Sequence, residues 1–180
     1  MSLLVGFGHK ARQGKDMVAG LVHQALPEHT TVMRFSGDLK SYARILGMRG
    51  KDSVMLQHLG SALRRIDEGV FIRCLAEQVE DEKPACALIP DVRYKNEADW
   101  IKKQGGMLVR VVRTEPNGLQ YVSSDRDPNH PSEAELNHYD GWGWYIDAPS
   151  GFMDTLRIEA ERLVNAIRRR LGITSLGEEA

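Results

Sequence analysis

The sequence predicts an α/β protein with a mostly parallel sheet of about five strands and helices on both faces. Short apolar runs typical of buried strands alternate along the chain with segments whose apolar residues recur at helical spacing, and there is no internal repeat. The 180 residues, 42% of them hydrophobic and 27% charged, suit one globular domain. We therefore predict a single domain over 1–180 with a frayed tail at 173–180.

Each predicted element begins or ends at a residue with a physical reason to do so. Pro90 follows the third apolar run, and because proline has no backbone N–H to donate, we predict that this strand stops at residue 89. The predicted strands are 3–8, 30–35, 85–89, 107–112 and 144–147. The predicted helices follow Gly14 and Ser36 and cover 53–79, 97–105 and 153–171.

Charge, hydropathy and cysteine content exclude several classes of partner. The formal charge of -1 gives no overall attraction to nucleic acid or an anionic membrane, and no segment has the ~20 apolar residues needed to span a bilayer. Cys74 and Cys86 form no CxxC or zinc spacing, which favours two core residues in a reducing compartment. We expect a cytoplasmic protein without nucleic-acid or membrane partners. A monomer and a homodimer both stay open.

The stretch VGFGHKARQGKD, residues 5–16, connects the first strand to the first helix. In that position backbone N–H groups and the helix N-terminus bind phosphates, and a lysine such as Lys15 reaches the outer ones. The stretch departs from the usual pattern, because Gly8 and Gly14 are one residue too far apart unless His9 takes the first glycine position. Asp16 also replaces the usual magnesium-binding Ser or Thr. A structural turn with a solvated lysine is the alternative.

Two groups of charged residues follow later strands. Asp91 and Arg93 come just after the third strand, at the edge where open parallel sheets bind ligands, so they are candidates for magnesium and for an acceptor phosphate. An ordinary turn with a helix cap is the alternative. Lys40 and Arg44 share one helix face, and two arginines at 64–65 follow in the next helix. Solvated helix faces are the alternative for these cations.

The segment 114–143 is polar, contains three prolines and has little periodicity. A connection of this length in a compact domain is typical of a mobile functional lid, with plain surface disorder as the alternative. His130, Glu133 and His138 lack the spacing of a zinc motif, which favours a lid segment over a metal centre.

Together and in this order, these segments resemble the phage-type deoxynucleoside monophosphate kinases, a branch of the P-loop nucleoside monophosphate kinase fold. The resemblance spans nearly the whole chain and is more specific for the family than for one nucleotide. The residues that carry it are GHKARQGKD, FSGDLK, LQHLGSALRR, PDVRYKNEADWIKKQGG with VRVVR, and HPSEAEL followed by WYIDAPSGFMDTL.

The resemblance implies a three-layer P-loop kinase-like fold with a lid, and transfer of the ATP γ-phosphoryl group, with Mg²⁺, to a deoxynucleoside monophosphate in deoxynucleotide biosynthesis. A bacteriophage gene product would act in the host cytoplasm. The implied catalytic residues are Lys15, Asp91, Arg93 and Arg126, with Arg126 closing over the phosphoryl group, and the implied metal ligands are Asp16 and Asp91. The implied ATP-binding residues are Gly8, His9, Lys10, Ala11, Arg12, Gln13, Gly14, Lys15, Asp16 and Met17. The implied substrate-binding residues are Asp38, Lys40, Arg44, Arg65, Arg93 and Glu97.

Two other functions stay open at this point. The same fold could phosphorylate another small acceptor, such as dephospho-coenzyme A or a sugar. The altered loop is also compatible with a nucleotide-binding protein without catalytic activity. The sequence does not determine which base is accepted or whether ribose is excluded.

Overall fold

The computed structural model of the protein describes residues 1–50, 52–151 and 153–173, so most of the predicted tail lies outside the described residues. The elements in chain order are β1 (Leu3–Gly8), α1 (Lys15–Ala25), β2 (Thr30–Val32), α2 (Gly37–Ile45), α3 (Ser53–Ile66), α4 (Val70–Glu82), β3 (Cys86–Val92), α5 (Lys95–Lys103), β4 (Met107–Val112), α6 (Pro131–Ala134), β5 (Trp144–Asp147) and α7 (Met153–Leu171).

The five strands form one sheet in the order β2-β3-β1-β4-β5, and every neighbouring pair is parallel. The predicted α/β class with a five-stranded parallel sheet is therefore confirmed. Because β1 and β3 are neighbours and parallel, their carboxyl ends lie side by side at one edge. The loop after β1 and the turn after β3 consequently meet there, as the rule for ligand sites in open sheets requires.

Helices cover both faces of the sheet, and the alternation of strand side chains divides the core in two. Phe7 faces the layer that holds α1 and α7, whereas Leu4 faces the layer that holds α4 and α5. Each buried side chain of this size stabilises the fold by about 1.5–3 kcal/mol. Cys74 and Cys86 are free, and burial raises the pKa of Cys86 to about 12. Within the described ranges, no helix is both long and apolar enough to cross a bilayer.

The predicted end of β3 was wrong, because the strand continues through Pro90 to Val92. The proline is tolerated because neither neighbour needs its missing N–H. Pairing with β2 ends at Leu88, and the register with β1 shifts between Gly6 and Gly8, where the ladder is irregular. The strand therefore carries Asp91 as an ordered strand residue rather than as part of a turn.

Other boundaries also differ from the prediction, and α5 spans Lys95–Lys103 rather than 97–105. β2 ends at Val32, so the predicted strand 30–35 was too long, and the chain from Met33 leads into the connection to α2. The predicted helix 53–79 is divided into α3 and α4. The Asp67 carboxylate accepts the backbone N–H of Gly69 at 2.9 Å, which stabilises the turn between the two helices.

Candidate active site

A cavity of about 710 Å³ opens at the carboxyl edge of the sheet. The loop after β1, helices α2 and α3, the turn after β3 and the segment 114–143 form its walls. Of the predicted site residues, the cavity is lined by Ala11, Arg12, Lys15, Asp16, Lys40, Arg44, Asp91, Arg93, Glu97 and Arg126. Residues far apart in the chain are thus brought to one space large enough for a small-molecule ligand.

Lys15 is the first residue of α1 and lies at the cavity wall with 4% of its surface exposed. Gly14 immediately before it has a φ of 92°, a conformation that glycine adopts without strain and that turns the chain into the helix. The Lys15 ammonium donates to the Lys10 carbonyl within the loop. Burial, with a smaller contribution from Arg93, lowers the pKa of Lys15 to about 7. A bound anion would favour the charged form, as expected of a phosphate-binding lysine.

Side chains of the loop also fix the segment 114–143. The contacts are His9 Nε2 to Asn137 Oδ1 at 3.1 Å, Arg12 to Asp125 at 2.7 Å, and Gln13 Nε2 to the Tyr121 carbonyl at 2.7 Å. His9 and Gln13 are buried and are not among the residues that line the cavity, so the structure places them as links between the loop and this segment. Burial lowers the pKa of His9 to about 4, so its ring is neutral at pH 7.

The remaining predicted loop residues have different surroundings. Gly8 ends β1, and a Cβ there would overlap the indole ring of Trp142. Lys10 supplies the carbonyl that Lys15 contacts, and Met17 is 49% exposed on α1. Among the described residues, these three are not part of the cavity lining.

The two predicted magnesium ligands line the cavity and have protein partners. Asp91 accepts the N–H groups of Phe35 at 3.1 Å and Ser36 at 2.9 Å, as well as the Ser36 hydroxyl at 2.7 Å, and so holds the connection between β2 and α2. The exposed carboxylate of Asp16 pairs with Arg34 at 2.5 Å. No cluster of three or more His, Cys, Asp or Glu in the described chain could hold a metal alone. Magnesium usually takes one or two carboxylates together with phosphate oxygens and waters, which these two residues fit.

Arg93 and Arg126 converge on one carboxylate. Arg93 donates to the Ser132 carbonyl at 3.2 Å and pairs with Glu133, and Arg126 Nη1 lies 3.5 Å from Glu133 Oε1. Glu133 Oε2 accepts the backbone N–H of Ala11 at 2.8 Å. Burial and the nearby Arg93 lower the pKa of Arg126. Two cations from different elements thus lie beside the loop.

Another part of the cavity wall belongs to α2. Lys40 and Arg44 line it from one helix face, as their i, i+4 spacing predicts. Asp38 instead accepts a hydrogen bond from Gln78 of α4 at 3.3 Å and is not part of the described lining. The two cations of α2 therefore face the ligand space, whereas Asp38 contacts the neighbouring helix.

One of the two adjacent arginines of α3 lines the cavity and the other does not. Arg64 lines the cavity, pairs with Glu97 at 2.7 Å and lies over the rings of Tyr94 and Phe71. Arg65, which the family resemblance implied as a substrate-binding residue, is exposed and outside the described lining. Successive helical residues point about 100° apart, so only one of the pair faces the cavity.

Other cavity residues were not predicted. They include Arg34, Gln57, Tyr94, His130 and Ser132. Arg34 is the second residue after β2, so the rule for strand ends would have identified it. The Ser132 hydroxyl contacts two of these side chains, Gln57 Nε2 at 3.3 Å and His130 Nδ1 at 2.9 Å. Since Gln57 is distant in the chain from the other two residues, no local signal predicts its contact.

The parallel sheet in its observed order, followed at β1 by a glycine loop and a buried lysine, defines a P-loop kinase-like fold. No family model matches the chain. A solved structure named "Crystal structure of a putative kinase from chloroflexus aurantiacus j-10-fl" superposes with a TM-score of 0.54 and 14% sequence identity, covering 97% of this chain and 98% of the other. This likeness shows a shared fold.

A second likeness is found at the level of sequence. A protein of Acanthamoeba polyphaga mimivirus named "Putative deoxynucleotide monophosphate kinase" is 46% identical over 52 residues. The match covers 29% of this chain and 23% of the viral protein, so the chain spans about a quarter of that relative.

Proposed function

We propose that the protein is a deoxynucleoside monophosphate kinase, which transfers the γ-phosphoryl group of ATP to a deoxynucleoside monophosphate and releases ADP and the diphosphate. One observation carries this proposal: the buried Lys15 of the loop and the converging Arg93 and Arg126 share a single cavity with the cations of α2. The cavity thus offers cationic walls for two phosphate-bearing ligands. The partial likeness to the viral protein supports the acceptor class.

The chemistry of phosphoryl transfer suits these residues. The acceptor phosphate oxygen is already anionic at neutral pH, so the reaction needs alignment and charge neutralisation rather than a general base. In the proposed mechanism Lys15 and the loop N–H groups hold the donor phosphates. Arg93 and Arg126 neutralise the charge of the group in transfer, and Lys40 with Arg44 binds the acceptor phosphate.

Asp16 and Asp91 are the carboxylates that we propose for Mg²⁺ bound with ATP. When bound, the ion neutralises the β- and γ-phosphate oxygens. Asp91 also holds the connection between β2 and α2, so its substitution would affect both the metal and the cavity wall. The proposed partners are ATP and the acceptor nucleotide in the cytoplasm, without nucleic acid or membrane.

The test is incubation with ATP, Mg²⁺ and each of the four common deoxynucleoside monophosphates, with chromatographic measurement of ADP and diphosphate. We expect turnover of at least one acceptor and its loss in Lys15→Ala. Lys103→Ala removes an exposed lysine near the end of α5 and is the matched control, expected to retain turnover.

The outcomes separate the alternatives that the sequence left open. Diphosphate formation in wild type but not in Lys15→Ala supports the proposal and reveals the base preference. Turnover only with dephospho-coenzyme A or a sugar would assign the fold to another acceptor. ATP binding by calorimetry without ADP formation from any acceptor would indicate a non-catalytic nucleotide-binding protein.

A further inference from the structure

Glu133 has 5% of its surface exposed and is not part of the described cavity lining, but it contacts two cations that are, Arg93 and Arg126. It belongs to α6 in the segment 114–143, and it contacts Arg126 of the same segment as well as two residues from other parts of the chain. One carboxylate oxygen accepts the Ala11 N–H of the loop at 2.8 Å. The other contacts Arg93, just after β3, and lies 3.5 Å from Arg126 Nη1. One side chain thus connects three parts of the site.

The charges explain why a carboxylate is stable at this position. Arg93 lowers the pKa values of both Lys15 and Arg126, because its positive charge disfavours the charged form of each. The negative charge of Glu133 instead raises the pKa values of Lys15 and Arg126. A buried carboxylate among cations is compensated, whereas without it the two arginines would separate and Lys15 would more readily lose its proton.

We propose that Glu133 is a positioning residue for phosphoryl transfer, which acts through Arg93 and Arg126. Its Oε1 atom holds the two guanidinium groups together, and its Oε2 atom fixes them relative to the loop that binds the donor phosphates. The arginines are thereby placed before the nucleotide arrives. This inference rests on the proposed kinase function, since the arginines need a phosphoryl group to act upon.

The first test compares wild type with Glu133→Gln and Glu133→Asp in steady-state kinetics. The glutamine retains an acceptor for the Ala11 N–H and loses the charge that holds the arginines. We expect kcat to fall about a hundredfold, the cost of misplacing groups by about 1 Å, while KM for ATP changes less than about threefold. The aspartate retains the charge, and we expect it to recover at least about tenfold of the lost kcat.

The matched control is Glu135→Gln, two residues further along the chain. Glu135 is exposed and accepts the Lys95 N–H at 2.7 Å, away from the cationic cluster. We expect its kcat to stay within about twofold of wild type, as for surface substitutions in general. Circular dichroism and thermal unfolding of all variants separate a loss of fold from a loss of arginine placement.

A double-mutant cycle with Arg126→Ala tests whether Glu133 acts through the arginines. We expect the cost of Glu133→Gln to shrink to about tenfold or less in the Arg126→Ala background. An undiminished cost there would overturn the proposal, as would wild-type kcat in folded Glu133→Gln. An increase in kcat with a lower KM would also overturn it, because the carboxylate would then compete with phosphate. Absence of turnover in wild type would instead reject the proposed function itself.

Discussion

Arg64 of α3 and Glu97 of α5 form an ion pair of 2.7 Å, with Glu97 1% exposed. Glu97 also accepts the backbone N–H groups of Arg93 at 2.9 Å and Tyr94 at 3.1 Å. Burial raises the pKa of Glu97, and Arg64 opposes that shift. The pair therefore fixes the turn after β3, and with it the start of the Arg93 side chain, from a second helix.

Arg64→Ala should destabilise the protein strongly, because it leaves the buried Glu97 carboxylate without its cation. Breaking a buried pair in this way costs about 3–5 kcal/mol of unfolding free energy. Urea denaturation followed by circular dichroism measures the change. Arg65→Ala, next in the chain but exposed, is the matched control, with an expected change within about 0.5 kcal/mol. Equal effects of the two substitutions would contradict the buried pair.

The fold was largely predictable because each strand is a local apolar run and each helix has a local period. The class, the five strands and the glycine loop after β1 follow from such signals. The end of β3 could not be predicted from local signals, because whether Pro90 interrupts the strand depends on how the neighbouring strands β1 and β2 pair with it. Those partners are defined by the assembled sheet rather than by the neighbouring residues in the chain.

The site was predictable where residues follow strands and less so where it depends on packing. Lys15, Asp91 and Arg93 line the cavity because they come after β1 or near the end of β3. The choice of Arg64 over Arg65 depends on the rotation of α3, which the sequence does not specify at single-residue precision. The contact of Glu133 with Ala11 joins residues 122 positions apart, for which no local pattern exists.

Gly8→Ala should disturb the loop, because a Cβ at this position overlaps the Trp142 ring. We expect the unfolding free energy to fall by about 1–3 kcal/mol, typical of overpacking, together with weaker ATP binding. Gly20→Ala on α1 is the matched control, since a Cβ there meets nothing within 4 Å. In a helix that change should stabilise by about 0.5–1 kcal/mol. Thermal unfolding and ATP calorimetry measure both effects. Wild-type stability and ATP affinity in Gly8→Ala would contradict the close contact.

His9 should make the stability depend on pH between about 6.5 and 4. Its pKa of about 4 in the folded state lies below the usual 6.5, so the unfolded chain binds the proton first as the pH falls. The contribution of His9 to the free energy of unfolding is therefore complete above pH 6.5. Its protonation lowers that free energy by about 3 kcal/mol as the pH falls towards 4. The measurement is urea unfolding at several pH values. His9→Gln should flatten the slope, whereas His58→Gln at an exposed position should not. Identical slopes in wild type and His9→Gln would refute the prediction.

Arg44→Ala should weaken binding of the acceptor more than binding of ATP, because Arg44 lines the cavity from α2 rather than from the loop that we propose for the donor phosphates. A hydrogen bond to a charged group contributes about 1.5–3 kcal/mol, so KM for the deoxynucleoside monophosphate should rise at least about tenfold. KM for ATP should stay within about twofold, since the donor loop is unchanged. Arg157→Ala on the exposed face of α7 is the matched control, with both constants expected at wild-type values. Initial rates with each substrate varied in turn measure the two constants separately. A rise confined to KM for ATP would place the donor on the α2 wall and reverse the proposed orientation of the two nucleotides.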